Sequence, residues 1–310
     1  MTIQLGYAPD LVEEAVLLAE RTMAAVDVRA FRSERDAIYL IAAAQIREPA
    51  FQSVHWTWFI RLGLNRVLEQ VIDERTSISR RLLRGLVRRA HTGRDEGGDL
   101  IDRVVSNGLL VPTPDTPTLL LRLRPRTLLD PVSLRTLLHH ELTHVEDMLD
   151  PAFGYERALP ASDDGPSADV ILADRYRIVW DSSIDGRLVR SGLAAQGARD
   201  ARWNEFSTVF AMLGDKCSAV FERWFCGERP THAAIVAFIT MPSPDTQGAK
   251  RCPICRFPVA SLDPRAAHLS KAVVDAIRVE HPQWTIEHGL CLQCLDLYEA
   301  RHAHADYAYR

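Results

Sequence analysis

The chain has no apolar run approaching the ~18 residues of a membrane helix, which argues against a helical membrane span. It has no internal repeat, so a solenoid or propeller is not expected. Its first residues, "MTIQLGYAPDLVEEA", lack the basic region and apolar run of a secretory signal, and a cytoplasmic location is expected. Basic charge is not in excess: 37 Lys and Arg stand against 41 Asp and Glu, a net charge of −4, so no global field draws the protein to nucleic acid. Cysteine is sparse, six in 310 residues, and four of the six fall into two CxxC pairs. Without an export signal that spacing points to metal rather than to disulfides. The other two, Cys217 and Cys226 in "CSAVFERWFC", are expected as small core thiols on a buried helix.

What is present is an ordinary globular balance, 47% hydrophobic and 25% charged, enough for a sizeable core. The texture suggests an α+β, mainly helical chain in four parts: a helical N-terminal region over 1–107, a catalytic region with a small sheet over 108–240, a linker over 241–251 and a small cysteine module over 252–310. Within the first part, "SISRRLLRGLVRRA" reads as a helix with Ile78, Leu82, Leu86 and Ala90 on one face and Arg81, Arg84 and Arg88 on another. "TLLLRLR" reads as a strand, and as the edge on which an extended peptide could pair. After it, Asp130 suits an N-cap, Pro131 suits the first helical position, and Asp150-Pro151 stops a helix near Leu149.

That helix carries His140-Glu141-Leu142-Thr143-His144, an HExxH pattern. Residues four apart share a helix face, so His140 and His144 can present two ring nitrogens to one ion, with Glu141 roughly 100° round as a general base. The remaining positions, Leu134, Leu138, Leu142 and Val145 among them, are apolar, and buried histidines and carboxylates need partners. His139 is a supporting or structural neighbour. The stretch resembles the active-site helix of the zincin metallopeptidases. The resemblance covers about residues 110–215 and rests mainly on "HELTH". It implies a Zn2+ hydrolase acting on peptide bonds.

The third ligand stays open. A metzincin continues HExxHxxGxxH or ends in Asp; here the matching positions are Asp147 and Asp150, without the glycine. On "DRYRIVWDSSIDGRLVR", Asp174, Asp181 and Asp185 fall within about 40° of each other, flanked by apolar residues. This is similar to the gluzincins, in which a later helix supplies an acidic ligand. Asp185 is the first candidate, Asp181 the second, with Gly186 admitting close helix approach and pairing with an arginine as the competing reading. Glu205 is another candidate, since "EFSTVFAML" resembles the ligand helix of cytoplasmic zincins of the ImmA/IrrE type.

Cys252, Cys255, Cys291 and Cys294 give CxxC-x35-CxxC, a tetrahedral Zn2+ site with no open position, and so a structural one. The module resembles a zinc ribbon or treble clef; His268, His281 and His288 are expected at its surface or in its packing. The expectation is a cytoplasmic zinc metallopeptidase with one catalytic and one structural zinc, a peptide or protein substrate and no membrane association. The alternative is a zincin-like regulatory protein whose zinc module and arginine-rich helix contact nucleic acid or a protein partner. Hydrolysis of a non-peptide substrate at the same metal is a third reading.

Overall fold

A computed structural model describes residues 3–106, 109–112, 117–161, 166–240, 250–259 and 261–308, and the chain divides into two compact units, Met1–Pro151 and Ala152–Arg310. The division falls inside the stretch read as one catalytic region. The described residues are mainly helical with a small sheet, an α+β chain. None of their helices is long and apolar enough to cross a membrane.

The first unit runs β1 (Gln4–Tyr7), α1 (Pro9–Ala19), α2 (Ala25–Ile38), α3 (Ala44–Arg61), α4 (Arg66–Glu74), α5 (Thr76–Arg81), β2 (Arg84–Arg89), β3 (Gly97–Ile101), β4 (Arg103–Ser106), β5 (Leu109–Pro112), β6 (Thr118–Leu123), α6 (Pro125–Leu128) and α7 (Pro131–Leu149). β1, β2 and β6 are parallel, β3 joins β6 antiparallel, and the order is β1-β2-β6-β3. The region before residue 108 is therefore not all helix. The "arginine helix" ends at Arg81, and Arg84 and Arg88 are exposed on β2. Gly85 and Val87 are buried on the opposite face of that strand, a period of two hidden in a sequence that also fits a period of 3.6.

"TLLLRL" is a strand, but an interior one. Leu119, Leu120, Leu121 and Leu123 are all buried, because β2 and β3 flank β6 and both its faces are covered. A continuous apolar run is the mark of such a strand, whereas a half-exposed edge alternates. The edge position beside β6 belongs to β3.

α7 begins and ends where its signals lie. The Asp130 carboxylate accepts from the N–H groups of Val132 and Ser133, Pro131 is the first helical residue, and Asp150 closes the last turn with extended backbone. Leu134, Leu138, Leu142 and Val145 form one stripe of α7 and join Val87, Leu100, Leu119, Leu121, Leu11 and Val16 in the core of this unit.

The second unit runs α8 (Pro166–Arg190), α9 (Ala198–Val209), α10 (Cys217–Cys226), α11 (His232–Thr240), a hairpin of β7 (Lys250–Arg251) and β8 (Pro258–Val259), α12 (Lys271–Glu280) and α13 (Leu292–Ala308). The expected linker falls largely on 241–249, outside the described residues. Gly186 of α8 lies against α10: a Cβ there would sit 1.7 Å from the carbonyl oxygen of Phe225. Its small size serves helix packing within this unit. Cys217 is buried as expected, but Cys226 is exposed and its thiol meets Glu222 at 3.1 Å, because it ends the helix rather than facing the core.

Candidate metal centres

In the first unit, α7 sets the His140 and His144 imidazoles side by side, with ring centroids 5.0 Å apart at 67°. His144 is 9% exposed and His140 half-buried, so both lie at the boundary between core and solvent. Glu141 is held by the sheet: its Oε2 accepts the backbone N–H of Gly98 at 2.8 Å. Gly97 and Gly98 make that approach possible. A Cβ on Gly97 would lie 3.2 Å from Glu141 Oε2, and one on Gly98 would lie 3.3 Å from both Cβ and the backbone oxygen of Glu141. The two glycines that open this edge strand thus let its backbone fix the carboxylate of the motif.

α5 and the residue before it clamp the other side of α7. Arg75 donates to Glu146 at 2.7 Å and contacts His139 Nδ1 at 3.1 Å, Ser77 donates to Glu146, and Arg81 donates to the Leu149 carbonyl at the helix end. His139 is buried, and burial followed by the nearby Arg75 charge pushes its pKa below the ordinary value, so it is a neutral structural group. Arg81 is spent on the last turn of α7, where a cation complements the helix dipole. Asp150 closes that turn, its N–H bonded to the carbonyls of Glu146 and Asp147.

In the second unit, the acids read as candidate ligands form one charged network. Arg177 pairs with Asp174 (3.0 Å), Asp181 (3.0 Å) and Glu205 (2.7 Å). Arg202 of α9 pairs with Asp181 (3.0 Å), Asp185 (2.8 Å) and Glu205. Burial alone would lower the Arg202 pKa, but Asp181 and Asp185 more than offset it and the net shift is upward. Four carboxylates therefore share two guanidiniums. Asp181 and Asp185 are 5% and 8% exposed, Glu205 more open. Pairing with an arginine, the competing reading, is present, and Arg202 supplies it from a different helix. Tyr176 bonds His232 Nδ1 at 2.7 Å within a cluster containing Phe153, Tyr155 and Trp180, a packing role.

The four paired cysteines converge. Cys252–Cys294 and Cys255–Cys291 are each 3.8 Å apart at Sγ, and all four sulfurs lie within 4.8 Å of one another. A tetrahedron with metal–sulfur bonds of about 2.3 Å has sulfur–sulfur edges of roughly 3.8 Å. The first pair sits in the β7–β8 hairpin turn, closed by Cys252 N–H to Phe257 O and Arg256 N–H to Cys252 O, both 2.9 Å; the second pair opens α13. Thiols packed this closely compete for protons. Hydrogen bonds from its three neighbours push Cys252 well below the ordinary thiol value, while Cys255 and Cys294 are pushed above it. A divalent cation resolves that competition by taking four thiolates together.

Arg175 supports this cluster. It is 1% exposed, its guanidinium lies 3.2 Å from the Phe257 ring centroid, and it donates to Gln293 Oε1 at 3.0 Å. Burial pushes its pKa down to about 10, and the charge of Cys255, Cys291 and Cys294 pushes back upward. Gln293 in turn donates to the Val209 carbonyl of α9 at 3.2 Å. Arg75, Gly98, Arg175 and Arg202 are the positions that sequence reasoning missed. Only the "GG" doublet of β3 offered a local signal, as a site of close backbone approach.

No protein-family profile, curated protein or solved structure matches the chain.

Proposed function

We propose that the chain is a zinc-dependent metallopeptidase, with a second, structural zinc on Cys252, Cys255, Cys291 and Cys294. The observation that carries the reading is the pair of neighbouring imidazoles on α7 with Glu141 anchored to an edge strand. The third ligand stays open among Asp150 at the end of α7 and the acids Asp181, Asp185 and Glu205, which Arg177 and Arg202 hold within the second unit. Two imidazoles and a carboxylate suit a divalent ion with a position left for substrate.

When bound, zinc supplies Lewis acidity and lowers the pKa of a water to about 7. Glu141 takes the proton from the attacking water and returns it to the departing amine. The Gly98 N–H keeps one carboxylate oxygen fixed, so the other is directed to the proton it must move. β3, the sheet edge beside β6, pairs with an extended substrate backbone.

Hydrolysis of a fluorogenic peptide library by wild type and Glu141→Gln tests the reading, with zinc content measured in both. The variant keeps its zinc and loses at least about a hundredfold in rate, since general-base catalysis contributes that much. Equal rates in the two proteins would overturn it.

A further inference from the structure

The first unit contains a groove of about 800 Å3 between the start of α1, the end of α2 and the first turns of α3, remote in sequence from the HExxH motif. One wall is aromatic. The Tyr39 and Phe51 rings meet edge to face at 5.0 Å, and Phe51 stacks on His55 with centroids 6.4 Å apart and 19° between planes. Asp10, Glu13 and Glu48 also line the groove, against a single lining cation, Arg47, so three carboxylates face one guanidinium. Among the described residues these three acids have no ion-pair partner.

The buried end of the groove carries a second signal. His55 is 3% exposed, lines the groove, and its Nε2 is buried without a hydrogen-bond partner. Such an orphan costs free energy unless something satisfies it. Burial lowers the His55 pKa, with Glu13 opposing and Arg35 assisting, so the ring is neutral and adds no positive charge to the lining. Aromatic faces attract cations, carboxylates attract them further, and a neutral imidazole nitrogen can exchange a hydrogen bond with a guest.

We propose that this groove binds a basic side chain, lysine or arginine, presented by a peptide segment, with Tyr39 and Phe51 against its alkyl stem and cationic head, Glu13 and Glu48 as counter-charges and His55 at its inner end. The negative lining selects a cation over an anion, and the aromatic wall selects a side chain with an apolar stem over a bare metal ion.

The full chain is titrated calorimetrically, at low salt, with acetyl-Ala-Lys-Ala-amide, its arginine counterpart and its norleucine counterpart, which keeps the stem and removes the charge. The basic peptides bind about tenfold more tightly than the norleucine peptide. The double variant Glu13→Gln/Glu48→Gln, changed at two exposed positions and checked for unaltered circular dichroism, brings the lysine peptide to the norleucine level. Tyr39→Ala, also an exposed position, weakens both basic peptides severalfold. Norleucine binding equal to lysine, lysine binding unchanged in the double variant, or no binding of any peptide overturns the proposal. The titration needs neither bound metal nor hydrolysis, so its failure and the failure of the metallopeptidase reading are separate results.

Discussion

Glu141 on α7 and Gly98 on β3 are joined by a hydrogen bond of 2.8 Å from the Gly98 N–H to Oε2 of the carboxylate. The contact links an acid positioned by helix periodicity to a strand 43 residues earlier. It depends on two side-chain-free positions in succession.

Gly98→Ala tests that dependence. The added Cβ meets Glu141 Cβ and its backbone oxygen at 3.3 Å and Leu121 Cδ2 at 3.4 Å, so strand and helix must separate by a few tenths of an ångström. Stability falls by about 1–2 kcal/mol, typical of a tight insertion into packed structure. Gly97→Ala places its methyl 3.2 Å from Oε2 and mainly disturbs the carboxylate. Urea unfolding and kcat/KM together separate the two: Gly98→Ala lowers both, Gly97→Ala chiefly the second.

Gly186→Ala is the harsher change. Its Cβ would lie 1.7 Å from a backbone oxygen of α10, which has no rotamer with which to yield. The second unit loses about 3 kcal/mol or more. A thermal melt little different from wild type would show that α8 and α10 do not pack this closely.

Stability also depends on pH through the buried histidines. His55, His139 and His232 all have pKa values lowered chiefly by burial, with the Arg75 charge adding at His139. The unfolded chain therefore binds protons first. Stability from these groups is complete above the unfolded value of about 6.5 and is lost as pH falls below it toward the folded values. Unfolding free energy declines from about pH 7 to pH 5, and His139→Gln makes the decline shallower. A flat profile for the wild type over that range contradicts the assignment.

Arg175 offers a test of the cysteine cluster. Four thiolates around a dication carry a net charge of −2, and Arg175 is a buried cation near them. Arg175→Met keeps an unbranched apolar side chain over Phe257 and removes the charge. Loss of a supporting group costs about 10–100-fold in metal affinity, read as faster transfer of one metal equivalent to a chelator.

Much of the helix that bears the motif was legible because its signals are local. Asp130, Pro131 and Asp150-Pro151 act within a turn of where they stand, and the structure places both helix ends accordingly. The CxxC pairs were legible because metal ligation restricts spacing, and the sulfurs converge. β2 was not legible: Leu82, Leu86 and Ala90 satisfy a helix period, and only pairing with β1 and β6 selects the strand. The edge position was misassigned to β6, whose four buried leucines show that both of its faces are covered. Arg202 reaches Asp181 and Asp185 from another helix, a contact with no local signature.

The most direct test of the central claim is zinc per chain in wild type and in His144→Ala. Two equivalents falling to one, with the circular dichroism spectrum preserved, is the predicted result. A single equivalent in both proteins would leave metal on the four cysteines and none on α7, contradicting the metallopeptidase account.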